Sequence, residues 1–284
     1  MNEDAASSPA LEVLLLSGLI AGLVWLSVAL VRGKPLVRYE PRRRVPWSGF
    51  DVALSVATML LTGAVVGILV GVRPDPKDIA DVRLAFGAVA LSEVLSMAII
   101  LAILAQRARP NTIDLGFDAR HWWHDLGRGL AAFLLVTPPV LYLHKVLTIY
   151  YPYHHPVLDA LGEHPDWWTL ALATWLAVVI APLFEEFVFR VVLQGWLEGR
   201  ESRWRRNHSL LRRVPRGVTS IALSSFAFAL AHAGSFPAPI PLFFFSLAAG
   251  YLYRQTHRIL PSLVLHMCFN GLSISALWAA SGKA

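Results

Sequence analysis

Long apolar segments alternate with short polar ones along the whole chain. A helix needs roughly 20 apolar residues to cross a bilayer. Segments of this kind recur eight times, the sixth and seventh being short, at 11–31, 50–72, 84–105, 127–150, 167–192, 217–232, 240–254 and 259–280. This pattern predicts an all-α, polytopic integral membrane protein with about eight transmembrane helices.

Composition supports that prediction. The chain is 56% hydrophobic and only 15% charged, with a mean hydropathy of +0.53, whereas soluble domains average about 25% charged residues. The single cysteine, Cys268, excludes an internal disulfide and a multi-cysteine metal site. The N-terminus has no basic region, and its apolar stretch from Leu11 to Val31 comes without a small-residue cleavage site, so we expect the first span to be a retained anchor.

The net charge of +6 bears only on the orientation of the protein in the membrane. The basic residues cluster between apolar spans, in 32–49, 106–126 and 198–216 and at Arg254 and Arg258. Eight crossings place all of these regions on one side, and the positive-inside rule then puts both termini away from the cytoplasm. We therefore expect no nucleic-acid partner. The predicted location is a bacterial inner (plasma) membrane.

Three polar clusters interrupt the later apolar spans. Ionisable side chains at membrane depth are costly, so by default they indicate a functional site. Segment 1–160 is expected to form N-terminal transmembrane helices, and 161–284 is expected to hold the catalytic ones. The clusters are Glu185, Glu186 and Arg190; Phe228 and His232; and His266 and Asn270.

The first cluster predicts a division of labour between its two acids. Glu186 and Arg190 are four residues apart in the favourable order for an ion pair. Glu185 points about 100° away from its neighbour on a helix and is free to face a cavity. Pro182 cannot donate a hydrogen bond to the carbonyl of Val178, so the helix should open there and offer a place for water. The alternative is a buried ion pair that joins helices, with Glu185 merely hydrated.

The histidine clusters supply a possible hydrogen-bonding site. His266 and Asn270 share one helix face, and a ring N–H and an amide N–H aimed at one point are what an oxyanion hole needs. His232 lies one turn after Phe228. Either histidine alone is more often an interhelical hydrogen bond, but both occur beside a Glu-Glu-x-x-x-Arg motif.

Other reactive side chains are weaker candidates. Cys268 faces away from His266 on a helix, which argues against a Cys-His pair. Glu93 in the third span could pair with Arg190 or serve a proton-coupled transporter together with Glu185. The three histidines between the fourth and fifth spans are interpreted as ordinary loop residues: His154, His155 and His164.

The three clusters, in this order, resemble the CPBP family of intramembrane proteases. That family includes the CAAX-processing Ras-converting endoprotease and bacterial members linked to bacteriocin maturation or self-immunity. Its pattern is Glu-Glu-x-x-x-Arg, then Phe-x-x-x-His, then His-x-x-x-Asn or Asp. This chain matches all three motifs, and the resemblance covers about residues 165–280.

The resemblance implies a role for each residue and no cofactor. Glu185 and His232 would activate a water, and His266 and Asn270 would hold the developing oxyanion. Glu186 and Arg190 would be supporting residues. A zinc site of one Glu and two His is the alternative, but the family points to a metal-free glutamate mechanism.

The expected function is hydrolysis of a peptide bond in a membrane-associated protein or peptide substrate within the lipid bilayer. The alternative from another class is a catalytically idle partner, such as a bacteriocin immunity or scaffold protein that binds a peptide in the same cavity. The transporter is the weakest reading, because the halves show no inverted, matching broken helices.

Overall fold

Helices occupy each of the predicted spans in the computed structural model, which describes residues 9–33, 35–41, 44–73, 78–151 and 166–281. Those ranges contain no strand. The α-helices are α1 (Pro9–Val31), α2 (Gly49–Val70), α3 (Ile79–Arg107), α4 (Trp122–Tyr150), α5 (Trp167–Trp175), α6 (Ala181–Glu186), α7 (Gly195–Asn207), α8 (Ser209–Arg213), α9 (Val218–Ala231), α10 (Pro239–Thr256) and α11 (Leu260–Ser281).

The described residues include three helical stretches that are long and apolar enough to cross a membrane: Gly49–Val70, Ile79–Arg107 and Ala119–Tyr150. Shorter apolar helices cover Val218–Ala231 and Leu260–Ser275. Large apolar side chains such as Ile68 and Leu69 on α2 are 79% exposed, as lipid-facing side chains are. The protein is therefore an all-α polytopic membrane protein.

The fifth span is longer than predicted. Two π-helices, Leu176–Ile180 and Phe187–Gln194, join α5, α6 and α7 into one run over 167–207. The run extends past 192 into the arginine-rich stretch that was expected to be a loop. Side-chain contacts stabilise this extension: the Gln194 amide donates to Glu198 at 3.1 Å, and Glu201 accepts the Gly217 N–H at 2.8 Å.

A buried ionic cluster fixes the start of α11. The Arg258 guanidinium is 4% exposed and donates to both oxygens of Asp125 on α4, at 2.5 and 3.0 Å. It also binds the carboxylate of Glu40, and this hydrogen bond lowers the pKa of Glu40. Arg258 therefore connects the 35–41 segment and α4 to the helix that carries His266.

Helix α4 packs directly on α11 and on α1. Gly129 of α4 is buried, and a Cβ there would lie 2.6 Å from Val264 Cβ and 2.8 Å from the Pro261 carbonyl oxygen. The two helices can approach this closely only because Gly129 has no side chain.

Several expectations stay predictions. They are the division at residues 160 and 161, the retained anchor, the membrane and the orientation of the termini. Residues 1–8 and the loop with His154, His155 and His164 lie outside the described residues.

We expect Gly129→Ala to lower the free energy of unfolding by about 1–3 kcal/mol, because a methyl group would overpack the α4–α11 contact. Gly127→Ala is the matched control, since a Cβ at Gly127 meets nothing within 4 Å. The control should be neutral or slightly stabilising. Thermal unfolding of the purified variants in detergent measures the difference, and equal midpoints would contradict the close approach.

Candidate active site

The centre of the site is a fully buried ion pair between Glu186 and Arg190. Arg190 Nε lies 3.1 Å from Glu186 Oε2, and both side chains are 0% exposed. The other guanidinium nitrogens donate to Ser224 Oγ at 3.4 Å and Ser246 Oγ at 2.9 Å. The ion pair expected from the four-residue spacing is present, and it connects the second π-helix to α9 and α10.

His266 links the two adjacent glutamates. Its Nδ1 lies 3.0 Å from Glu186 Oε1, and its Nε2 lies 3.6 Å from Glu185 Oε2. The rings of Phe228 and Phe245 pack edge-on against the imidazole, with centroids 5.8 and 5.1 Å away. Glu186 accepts hydrogen bonds on both of its oxygens, so it holds the ring with Nε2 directed toward Glu185.

Glu185 also faces His232. His232 lies directly after α9, and its Nδ1 donates to the Phe228 carbonyl oxygen at 2.9 Å. That bond directs Nε2 toward Glu185, whose Oε1 is 3.8 Å away. Separations of 3.6 and 3.8 Å are longer than direct hydrogen bonds, so Glu185 forms no direct hydrogen bond with either ring.

Exposure separates the two glutamates. The side chains of Glu185 and His232 are 20% and 30% exposed, whereas those of Glu186 and Arg190 are fully buried. The open side of the site therefore lies along Glu185 and His232. This difference matches the division of labour that the sequence predicts for the two acids.

Asn270 is held by a backbone carbonyl. Its Nδ2 donates to the Ala177 oxygen at 2.8 Å. The Ala181 N–H donates to the Leu176 oxygen, five residues earlier, which is π-helical spacing. With the same spacing the Ala177 oxygen would accept from residue 182, but Pro182 has no N–H. The proline thus frees the carbonyl of Ala177, and Asn270 uses one of its two amide hydrogens to satisfy it. The sequence alone predicts that the unpaired carbonyl is that of Val178, four residues before Pro182, because that prediction assumes α-helical spacing.

Glu93 does not pair with Arg190, so that suggestion is wrong. Arg190 is bound by Glu186 and two serines. Glu93 lies instead within electrostatic range of Glu185, and its buried Oε2 has no hydrogen-bond partner within the part of the chain that the structure describes. Among the same residues, no group of three or more His, Cys, Asp or Glu has a spacing that suits a metal ion.

Sequence reasoning missed the two serines and the role of Phe228. Ser224 and Ser246 are fully buried, and the Arg190 guanidinium lies 5.4 Å above the Phe228 ring. The same ring is 4.7 Å from that of His232. The available signal was a small polar residue inside each of two apolar helices, which is where a buried arginine finds oxygen acceptors.

The site thus combines carboxylates, imidazoles and a carboxamide from three parts of a membrane protein. Residues 167–272 match the family model described as Type II CAAX prenyl endopeptidase Rce1-like. The chain therefore carries an Rce1-like domain, consistent with the CPBP family, and this domain contains all three motifs. No curated protein and no solved structure matches the chain. The family supports a protease, which is a hydrolase, as the general class of this protein.

We expect Arg190→Ala to destabilise the fold by on the order of 3–5 kcal/mol, because it leaves the Glu186 charge buried without its partner. The yield of folded protein and the unfolding midpoint in detergent should both fall. Arg203→Ala, on the exposed side of α7, is the control. A normal yield and midpoint for Arg190→Ala would contradict the structural role of the ion pair.

Proposed function

We propose that this protein is a glutamate-type intramembrane endopeptidase. The observation that carries the proposal is the placement of Glu185 between the Nε2 atoms of His232 and His266, at 3.8 and 3.6 Å. A carboxylate and two ring nitrogens that converge in this way can bind a water and take a proton from it.

The proposed reaction needs no covalent intermediate. Glu185 accepts a proton as the water oxygen attacks the carbonyl carbon of the scissile peptide. His232 Nε2 accepts a hydrogen bond from the second O–H of the water, because Nδ1 already donates to the Phe228 carbonyl oxygen. Collapse of the tetrahedral intermediate breaks the C–N bond, and Glu185 returns its proton to the leaving nitrogen. The products are a carboxylic acid, which ionises after release, and an amine.

The oxyanion would be held by the second amide hydrogen of Asn270 and by His266 Nε2 when it carries a proton. Donors that are positioned before the reaction stabilise developing charge without reorganisation. The Ala177 carbonyl orients the Asn270 amide, and Glu186 orients the imidazole. Glu186 and Arg190 act as positioning residues in this scheme.

The proposed substrate is a membrane-associated protein or peptide that reaches the site through the bilayer. The polar side chains that would contact it lie on helices of an integral membrane protein, with Glu185 and His232 on the open side. The proposed location is a bacterial inner membrane with both termini outside the cytoplasm. The name of the matched family refers to prenylated CAAX proteins, and no residue that the structure describes points to a prenyl group on the substrate of this chain.

We expect Glu185→Ala to abolish cleavage while the protein stays folded, since Glu185 is partly exposed and lies beyond hydrogen-bond distance of His232 and His266. The measurement compares protein termini in host membranes that contain wild type or the variant at matched levels. Asp114→Asn, in the turn before α4, is the carboxylate control and should behave as wild type. New protein termini that appear with wild type and Asp114→Asn, but not with Glu185→Ala, would identify both the activity and its substrates.

Identical termini from folded wild type and Glu185→Ala would contradict the protease and favour the idle binding partner. A peptide that binds both proteins equally without being cut would support that alternative. Cleavage that stops with a chelator and returns with zinc would overturn the metal-free mechanism and leave the protease assignment intact.

We expect Asn270→Ala to lower kcat by about 10²–10³-fold on a substrate found in this way, the usual effect of removing one oxyanion donor. KM should change little. Ser273→Ala, which removes a hydroxyl bound to the Phe269 carbonyl one turn further along α11, is the matched control. An unchanged kcat with a lowered unfolding midpoint would restrict Asn270 to a structural role.

A further inference from the structure

A cavity lies between α4 and α10, away from the proposed active site. Its volume is about 800 Å³, within the range of about 300–1,000 Å³ of small-molecule sites. On α10 the wall includes Phe244, Leu247 and Ala248, whereas the neighbouring Phe245 packs on His266. Phe245 lies about 100° around the helix from Phe244, so different faces of α10 contact the cavity and the active site, and Glu185, His232 and His266 do not line the cavity.

The cavity is an apolar groove with a cationic end. Its α4 wall runs from His124 to Val136 along one helix face, a length of about 18 Å at 1.5 Å per residue. Half of a hydrocarbon core of about 30 Å is about 15 Å. The groove is thus as long as one leaflet is deep, and small side chains along the wall, such as Gly127 and Ala131, keep it hollow.

Two arginines define the cationic end. Arg128 donates to Asp125 at 2.8 Å and lies 3.7 Å from Glu40, and both acids are shared with Arg258. Arg38 is exposed and forms no ion pair with any residue that the structure describes. The end of the groove therefore holds a cation whose charge no described residue neutralises.

A neutral donor lies at the same end. The Tyr251 hydroxyl lines the groove and accepts the Val37 N–H at 3.3 Å, which leaves its own O–H free to donate. Trp123 and His124 complete the rim, and Trp123 is 66% exposed. Tryptophan is enriched at the head-group level of membranes, so the cationic end belongs at that level.

We propose that the groove between α4 and α10 binds an anionic phospholipid of the surrounding bilayer, with its phosphate at Arg38 and Arg128 and one acyl chain along the α4 wall. The charge at one end and the apolar wall beyond it match the two parts of that molecule. A zwitterionic lipid would bring its own ammonium cation together with its phosphate, and would leave the net positive charge of this end uncompensated.

Native mass spectrometry of the purified protein in detergent tests the site, with phosphatidylglycerol and phosphatidylcholine of identical chains as the probes. The first phosphatidylglycerol should bind more tightly than the first phosphatidylcholine. Arg38→Gln should weaken phosphatidylglycerol binding by about fivefold, the effect of one basic residue near an anionic lipid surface. Arg32→Gln, an exposed arginine outside the groove, is the matched control and should bind as wild type does.

A filling variant tests the groove itself. A Cβ at Gly127 meets nothing within 4 Å, so the side chain of Gly127→Leu would occupy the groove without displacing a neighbour. It should remove the tight lipid. Gly63→Leu on the exposed face of α2, where a Cβ also meets nothing, is the control and should retain it.

Two results would overturn the proposal. Equal retention of both lipids by wild type and Gly127→Leu would mean that lipid binds only around the protein. Loss of both lipids in Gly127→Leu, without any effect of Arg38→Gln, would mean that the groove holds an uncharged chain, such as a lipid tail on another protein. Neither readout uses proteolysis, so the same experiment in Glu185→Ala separates this proposal from the proposed function.

Discussion

The buried Glu186–Arg190 ion pair is the constraint on which the rest of the site depends. A charged pair in a low-dielectric interior is tolerated only when additional hydrogen bonds satisfy the remaining polar atoms. Here those bonds come from Ser224 on α9, Ser246 on α10 and His266 on α11. The requirement to solvate one carboxylate and one guanidinium thus brings three helices together. Glu185 is positioned by the same contacts because it immediately precedes Glu186.

A local backbone irregularity provides the second attachment. Pro182 cannot supply the N–H that π-helical spacing assigns to Ala177, and an unpaired carbonyl inside a membrane protein is costly. Asn270 from α11 satisfies it at 2.8 Å. Helix α11 is therefore held at His266 and at Asn270, one turn apart, by the same segment that carries the glutamates. The relative positions of the groups proposed for water activation and for oxyanion binding follow from these two bonds.

Structural features with a fixed local geometry could be predicted from the sequence. Apolar length located the helices, and the four-residue spacing of Glu186 and Arg190 located the ion pair. Partners distant in the sequence could not be predicted, because Ser224 and Ser246 resemble any small polar residue in an apolar helix. The bond from Asn270 to Ala177 depends on π-helical spacing, which no residue pattern specifies. The extension of the fifth helix to residue 207 was missed because clustered arginines usually mark loops, whereas here Glu198 and Glu201 support a helix.

Helix α10 couples the proposed active site to the proposed lipid site. Its Phe245 side packs on His266 and its Ser246 binds Arg190, while Phe244 and Ala248 line the groove. A rotation of α10 that closed the groove would also move Ser246 relative to the guanidinium. Because the buried arginine cannot lose an acceptor without a large cost, the ion pair resists that rotation. The interaction that orders the glutamates therefore also fixes which face α10 presents to the groove.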